Sequence, residues 1–207
     1  EWLSAATYGG DKAIFAYGTT GSVTNLSNLV NNSGVVASDV SGVGTSRRQL
    51  AAASYSAGND KAVFAFGTTG SLVNVKNLVS NLGVVSADVT GVGTARSYLT
   101  AAGYGVGLAL FAFGYTGSYV NTRNLVNNVG VIASDASGAG TIRGSTNGVR
   151  YGTDTAIFAY GSNSGGKLNL SNLVNNVGVV AADVSGVGTA RSGLAASSYG
   201  GDKAAYA

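Results

Sequence analysis

Hydrophobic positions along the chain come in short runs of about five residues, each closed by glycine or a small polar residue. Residues 50–55 (LAAASY) and 61–66 (KAVFAF) combine small, β-branched and aromatic side chains between glycines, which predicts two antiparallel strands. Two more strands are predicted at 74–79 and 83–87, separated by the turn-prone Ser80-Asn81-Leu82. Equivalent turns stand at Asn31-Asn32-Ser33, Asn127-Asn128-Val129 and Asn175-Asn176-Val177. Each unit therefore reads as a four-stranded meander. The spacing of Leu26 and Leu29, three residues apart, leaves a short helical turn as the other reading of NLSNLVNN.

The runs repeat. YGGDKAIFAYG at 8–18 returns as YSAGNDKAVFAFG from Tyr55, YGVGLALFAFG from Tyr104, YGTDTAIFAYG from Tyr151 and a clipped YGGDKAAYA from Tyr199. Its aromatic marker falls at Phe15, Phe64, Phe111, Phe158 and Tyr206, in steps of 49, 47, 47 and 48 residues. Between the copies lies a second block of the form NLxNLVNNxGVVAxDVSGVGTAR. One repeat domain thus fills 1–207, with units at about 1–47, 48–96, 97–143 and 144–191 and a half unit at 192–207. A fixed period near 47 residues with four strands per unit predicts an all-β fold, a β-propeller in which each small sheet buries its faces against its neighbours. Runs of alanine at 51–53, 101–102 and 195–196 suit an innermost strand where units converge. Four units and a half give eighteen strands, which do not make whole blades. Either a second subunit or further sequence completes the half blade, or the ring closes with one thin blade; an open β-solenoid is the alternative architecture.

At this point the pattern resembles the kelch repeat. Arg96-Ser97 stands before the first strand, Phe66-Gly67 closes the second, an Asn-Leu-Val stretch follows, and a valine run ends the unit. It departs from that family by lacking the double glycine after the second strand and the tryptophan of the fourth. Over essentially the whole chain the sequence is also similar to the YGGDKAIFAYG-type repeats of bacteriophage tail-fibre-like and hypothetical proteins. That resemblance implies a phage or other extracellular setting.

Composition narrows the chemistry. The chain holds 33 Gly and no Pro, Cys, Met or His, and only 21 of its 207 residues are charged. Without cysteine and histidine it has no disulfide, no thiolate metal site and no histidine base. Lacking the two most oxidisable side chains suits an extracellular or virion location. A net charge of +3, spread thinly, leaves no clustered basic footprint for nucleic acid, and the apolar runs are too short for a membrane span.

The aspartates recur with the repeat, one series in every complete unit and the other in every unit but the third. Asp39, Asp88, Asp135 and Asp183 form one series, and Asp11, Asp60, Asp154 and Asp202 another. Acid–base catalysis needs one asymmetric pair with separated pKa values, which a rotationally repeated set does not supply, so no catalytic residue and no cofactor are assigned. Arg47, Arg96, Arg143 and Arg191 each follow an Asp of the first series by eight residues. A repeated Asp and Arg at fixed spacing predicts structural bidentate pairs or turn caps between adjacent sheets. The glycine-rich loop 39–45 and its copies have two weaker readings, an anion cradle of backbone amides or a calcium loop; a single carboxylate per loop argues against calcium.

Candidate ligand contacts are aromatic. Tyr8, Tyr55, Tyr104, Tyr151 and Tyr199 end the first strand of each unit, where their rings serve either as sugar platforms or as packing between units. The units diverge most at 115–119, with Tyr115 and Tyr119, at 143–150 and at 162–167, and recognition commonly sits on such loops. The sequence leads to the expectation of a non-enzymatic structural or adhesive module, with self-association, surface glycans or a host receptor as partners. A soluble carbohydrate-binding lectin is the alternative, and an enzyme built on the divergent third and fourth units the least favoured.

Overall fold

The computed structural model describes residues 1–138 and 140–207. Among these residues there is no helix, so the helical reading of NLSNLVNN gives way to strand. The first unit contributes β1 (Ser4–Tyr8), β2 (Lys12–Ala16) and β3 (Ser27–Val30), and the second β4 (Ala51–Tyr55), β5 (Lys61–Ala65) and β6 (Lys76–Val79). The third has β7 (Thr100–Tyr104), β8 (Leu108–Tyr115) and β9 (Tyr119–Val126). The fourth has β10 (Asn147–Tyr151), β11 (Thr155–Ala159), the small hairpin β12 (Ser162–Asn163) and β13 (Gly166–Lys167), then β14 (Leu170–Val174) and β15 (Val184–Ser185). Residues 192–207 supply only β16 (Ala196–Tyr199) and β17 (Lys203–Tyr206).

Each unit is a small antiparallel sheet of its own, ordered as in the chain: β1-β2-β3, β4-β5-β6, β7-β8-β9, β10-β11-β14-β15 and β16-β17. The expected fourth strand is a regular one only in the fourth unit, as the two-residue β15. Elsewhere the valine run touches the third strand by isolated bridges, Val79 to Val85 and Lys76 to Val89 in the second unit. Those two bridges differ by one residue in register, so a bulge separates them and the ladder does not extend. At the bulge the side chain of Asn77 takes over, its Nδ2 donating to the Ser86 carbonyl at 2.9 Å.

The sheets are separate as hydrogen-bonded ladders, and their apolar faces meet one another. Three buried clusters make the core, and each spans two consecutive units: Tyr8, Ile14 and Tyr17 with Leu50, Ala62 and Phe64; Ala51, Val63 and Phe66 with Leu99, Ala109 and Phe111; Tyr104, Leu110 and Phe113 with Ala156, Phe158 and Val174. This explains why Ala62, Val63, Phe64 and Ala65 of β5 are all buried: a middle strand between two neighbouring sheets has no solvent face. Full burial of each Phe contributes about 1.5–3 kcal/mol. Along the junctions the aromatic at the end of the repeat's KAxFA-type strand meets the marker aromatic of the next unit. Tyr17 lies 5.5 Å from Phe64, Phe66 5.4 Å from Phe111, Phe113 5.9 Å from Phe158 and Tyr160 5.6 Å from Tyr206.

Backbone groups link the units too. Gln49 N donates to Trp2 O, Tyr98 N to Gln49 O, Ser145 N to Tyr98 O and Gly193 N to Ser145 O, so one equivalent position per unit passes a hydrogen bond to the next. Trp2, Gln49, Tyr98 and Ser145 all have φ between 49° and 56°, a left-handed conformation costly for non-glycine residues and held here because each turn must present both its donor and its acceptor sideways. The first strands run beside one another, β1 by β4, β4 by β7, β7 by β10 and β10 by β16. Residues of all five, among them Ala5, Ala51, Ala101, Gly148 and Ala196, border one cavity of about 420 Å³.

Candidate functional site

The polar side chains that repeat are gathered at the junctions. Arg47 stands just before β4 and its side chain is fully buried. Its Nε donates to the Phe66 carbonyl at 2.9 Å, Nη1 to the Thr45 carbonyl at 3.1 Å and Nη2 to Asn77 Oδ1 at 2.7 Å. The guanidinium lies 4.1 Å from the centre of the Tyr17 ring. The carboxylate that faces it is Asp88, at 3.9 Å. Asp88 in turn accepts from Thr45 N at 2.9 Å, Thr45 Oγ1 at 2.5 Å and Asn77 Nδ2 at 2.9 Å. The same clamp recurs with Arg96, Asn124, Asp135, Thr94 and Phe66, and with Arg143, Asn172, Asp183, Thr141 and Phe113.

This corrects the sequence reading of the ion pairs. Partners are not eight residues apart, because Arg47 belongs to the start of one sheet and Asp39 to the end of the sheet before it. Arg47 pairs with Asp88, Arg96 with Asp135 and Arg143 with Asp183, each about forty residues on, at 3.9, 3.9 and 3.5 Å. The geometry is not bidentate: asparagine oxygens and backbone carbonyls hold the guanidinium, and the carboxylate balances its charge from the side. Asp39 and Arg191 are left over. Asp39 has Asn28 Nδ2 at 2.8 Å, and the Arg191 guanidinium lies 4.8 Å from the Tyr160 ring centre.

Burial pulls the Arg96 and Arg143 guanidiniums down to about 10, against the opposing pull of Asp135 and Asp183. Arg47 is lowered by burial as well. All three stay charged at neutral pH. For Asp88 burial pushes the carboxyl up, but the hydrogen bonds from Thr45 and Asn77 and the charge of Arg47 outweigh it and hold it below the ordinary value. Asp135 and Asp183 are held low in the same way by Thr94 and Asn124 and by Thr141 and Asn172.

The asparagines were not singled out from the sequence, although Asn28, Asn77, Asn124 and Asn172 each precede the Asp of their unit by eleven residues, and that fixed step was the available signal. A second asparagine series holds the glycine-rich loops. Asn25 Nδ2 donates to the carbonyls of Gly42 and Gly44 at 3.2 and 2.7 Å, and Asn74 treats Gly91 and Gly93 likewise at 3.1 and 3.0 Å. A Cβ on Gly91 would fall 1.8 Å from the Asn74 carbonyl oxygen, so glycine is required by close backbone approach. In this arrangement the loop carbonyls point at an amide. Among the described residues no three His, Cys, Asp or Glu side chains gather as a metal site.

The candidate tyrosines divide into two groups. Tyr8, Tyr55 and Tyr104 are 2–3% exposed, each ring lying beneath the turn of the next unit. The glycine of that turn, Gly83, Gly130 or Gly178, sits so close that its Cβ would come within 2.6–3.0 Å of the tyrosine. Tyr151 is half-buried and Tyr199 is 56% exposed. Shallow apolar clefts remain beside the covered rings, about 340 Å³ by Tyr8, Leu29 and Leu82 and about 420 Å³ by Tyr104, Leu125 and Val177. Tyr115 and Tyr119 face each other across the β8-β9 hairpin with ring centres 5.4 Å apart, both half-exposed.

The cavity bordered by the five first strands carries alanines, Thr100, Thr146 and Asn147, and no carboxylate lines it. Arg150 borders a second cavity along the same first strands and donates to the Gly105 carbonyl at 3.0 Å. No helix of the described residues is long and apolar enough to cross a membrane. No protein-family model matches the chain, and no curated protein matches it.

Proposed function

We propose that the chain is a non-enzymatic β-propeller, four blades and the first half of a fifth, serving as a structural or adhesive module of a phage particle or another extracellular assembly. One observation carries the reading: at each complete junction the Arg, Asn, Asp and Thr side chains are consumed in the same clamp between blades, and the axial cavity is walled by uncharged residues, chiefly alanine and leucine. Chemistry needs groups that are free to act and differ from one another; repetition here spends them on scaffolding. The outer face supports an assembly role, because the same valines recur exposed in every blade: Val35, Val84, Val131 and Val179 are 50–64% exposed. Adhesion would be multivalent, through shallow clefts such as those beside Tyr8 and Tyr104, with avidity replacing tight single contacts.

The test is a glycan array and a bacterial-cell binding assay with the chain displayed on a multivalent bead. Binding that falls when Tyr115 and Tyr119 are replaced by alanine, or when the clefts are filled by Ala133→Trp, supports attachment. Absence of binding on both removes the adhesive role and leaves the structural one. A particle image without a central channel would remove the propeller itself.

A further inference from the structure

The half blade is an incomplete copy of a site that the chain builds three times elsewhere. We infer that β17 and Arg191 form a docking site for a polypeptide segment of the repeat's second-half type, an Asn-Leu-Val strand followed eleven residues after its Asn by an Asp, lying outside these 207 residues. Three independent features converge on that occupant. First, β17 pairs with β16 on one side only, whereas β2, β5, β8 and β11 each pair with a third strand on the other. By the register of β5 on β6, where Phe64 faces Asn77 and Ala62 faces Val79, Tyr206 is aligned to receive the asparagine and Ala204 the valine.

Second, Arg191 stands where Arg47, Arg96 and Arg143 stand, on the ring of the preceding blade, but among the described residues its guanidinium makes no hydrogen bond or ion pair, whereas theirs donate to Asn77, Asn124 and Asn172. The glycine beside it reports the same vacancy. A Cβ on Gly44, Gly93 or Gly140 would strike the Asp and Asn of the next blade at 2.4–2.7 Å, while one on Gly188 would meet only Tyr160 Oη at 3.8 Å. Third, Tyr151 lacks the turn glycine that covers Tyr8, Tyr55 and Tyr104, and it is half-buried where they are buried.

A strand edge, a lone buried-side cation and an uncovered ring at one place fit one segment: its asparagine and aspartate complete the clamp, its leucine–valine strand adds to the sheet, and its turn covers Tyr151. A second copy of these residues does not fit, because its third strands β3, β6, β9 and β14 are already paired within their own sheets. The inference stands on the equivalence of the junctions and not on the adhesive role, so it survives a blank glycan array.

The experiment uses the full chain and a synthetic peptide with the sequence of residues 66–96, labelled and titrated by fluorescence anisotropy. One-to-one binding is expected, weakened about tenfold or more by Asp88→Asn or Asn77→Ala in the peptide, which leave the folding of the protein untouched. Arg191→Ala in the protein should weaken it by a similar factor, with no further loss when it is combined with the Asp88→Asn peptide. No binding, binding indifferent to these substitutions, or a discrete self-oligomer that the peptide fails to dissociate would each overturn the proposal.

Discussion

The junction between the second and third units and that between the fourth and the half unit use the same residues and differ in what closes over them. At the first, Arg96 is fully buried, stacked 4.2 Å from the Phe66 ring centre and donating to Asn124 at 2.6 Å, and Phe111 has no exposed surface. At the second, Arg191 has its ring, Tyr160, and not its sheet. The first unit mirrors this from the other side: Asn28 and Asp39 are formed, Asp39 is exposed, and Phe15 is 38% exposed where Phe64, Phe111 and Phe158 are buried. The lesson is that one small sheet does not bury its own apolar faces. Burial, and with it the value of every polar contact, is created by the neighbour.

Substitutions at matched positions make that contrast measurable, and the largest expected effect is in the clamp. Arg96→Ala strands Asp135 and Asn124 in a closed junction and should cost about 3–5 kcal/mol in denaturant unfolding, whereas Arg191→Ala should cost under about 1 kcal/mol. Equal losses at the two sites would mean that the clamp owes nothing to burial. Next comes the aromatic series: Phe111→Ala should cost about 3–5 kcal/mol by cavity formation, and Phe15→Ala, already partly solvated, about 1–2 kcal/mol. Gly130 and Gly34 share a positive φ, 81° and 78°, but only Gly130 lies against a tyrosine. Their alanine variants should therefore differ, Gly34→Ala costing about 1 kcal/mol for strain and Gly130→Ala a further 1–3 kcal/mol for overpacking.

The smallest effect is the pH dependence. Asp88, Asp135 and Asp183 have folded pKa values depressed below the ordinary carboxylate value, so in the acid range the unfolded chain binds more protons than the folded one. Their stabilisation is present in full well above that value and is lost as pH falls through the folded values. Melting temperature should be level from neutrality to about pH 5 and decline below about pH 4. Asp135→Asn should flatten part of the decline, and a decline unchanged by it would locate the acid sensitivity elsewhere.

Strand positions and the period were legible in the chain because both are local: alternating small and aromatic residues between glycines specify short strands, and five copies of Tyr-Gly-type turns fix where each begins. The expected fourth strand is mostly reduced to isolated bridges, since a valine run at strand spacing carries no sign of the one-residue bulge that Asn77 accommodates. The glycine-rich loops looked like possible anion or calcium cradles, and the structure turns their carbonyls onto Asn25 and Asn74 instead. Of the candidate site, the recurrence of Asp and Arg was visible and their partners were not.

The amino-acid sequence by itself determined a repeated all-β chain, its unit boundaries and the residue types at each junction, because propensity and periodicity act within a few residues. Only the tertiary structure decided that Arg47 reaches Asp88 and not Asp39, that Tyr55 is covered while Tyr199 is open, and which clamp lacks its second half. Those outcomes depend on which sheet lies against which, and burial, the quantity that turns a repeated charge into a specific contact, exists only once the sheets have met.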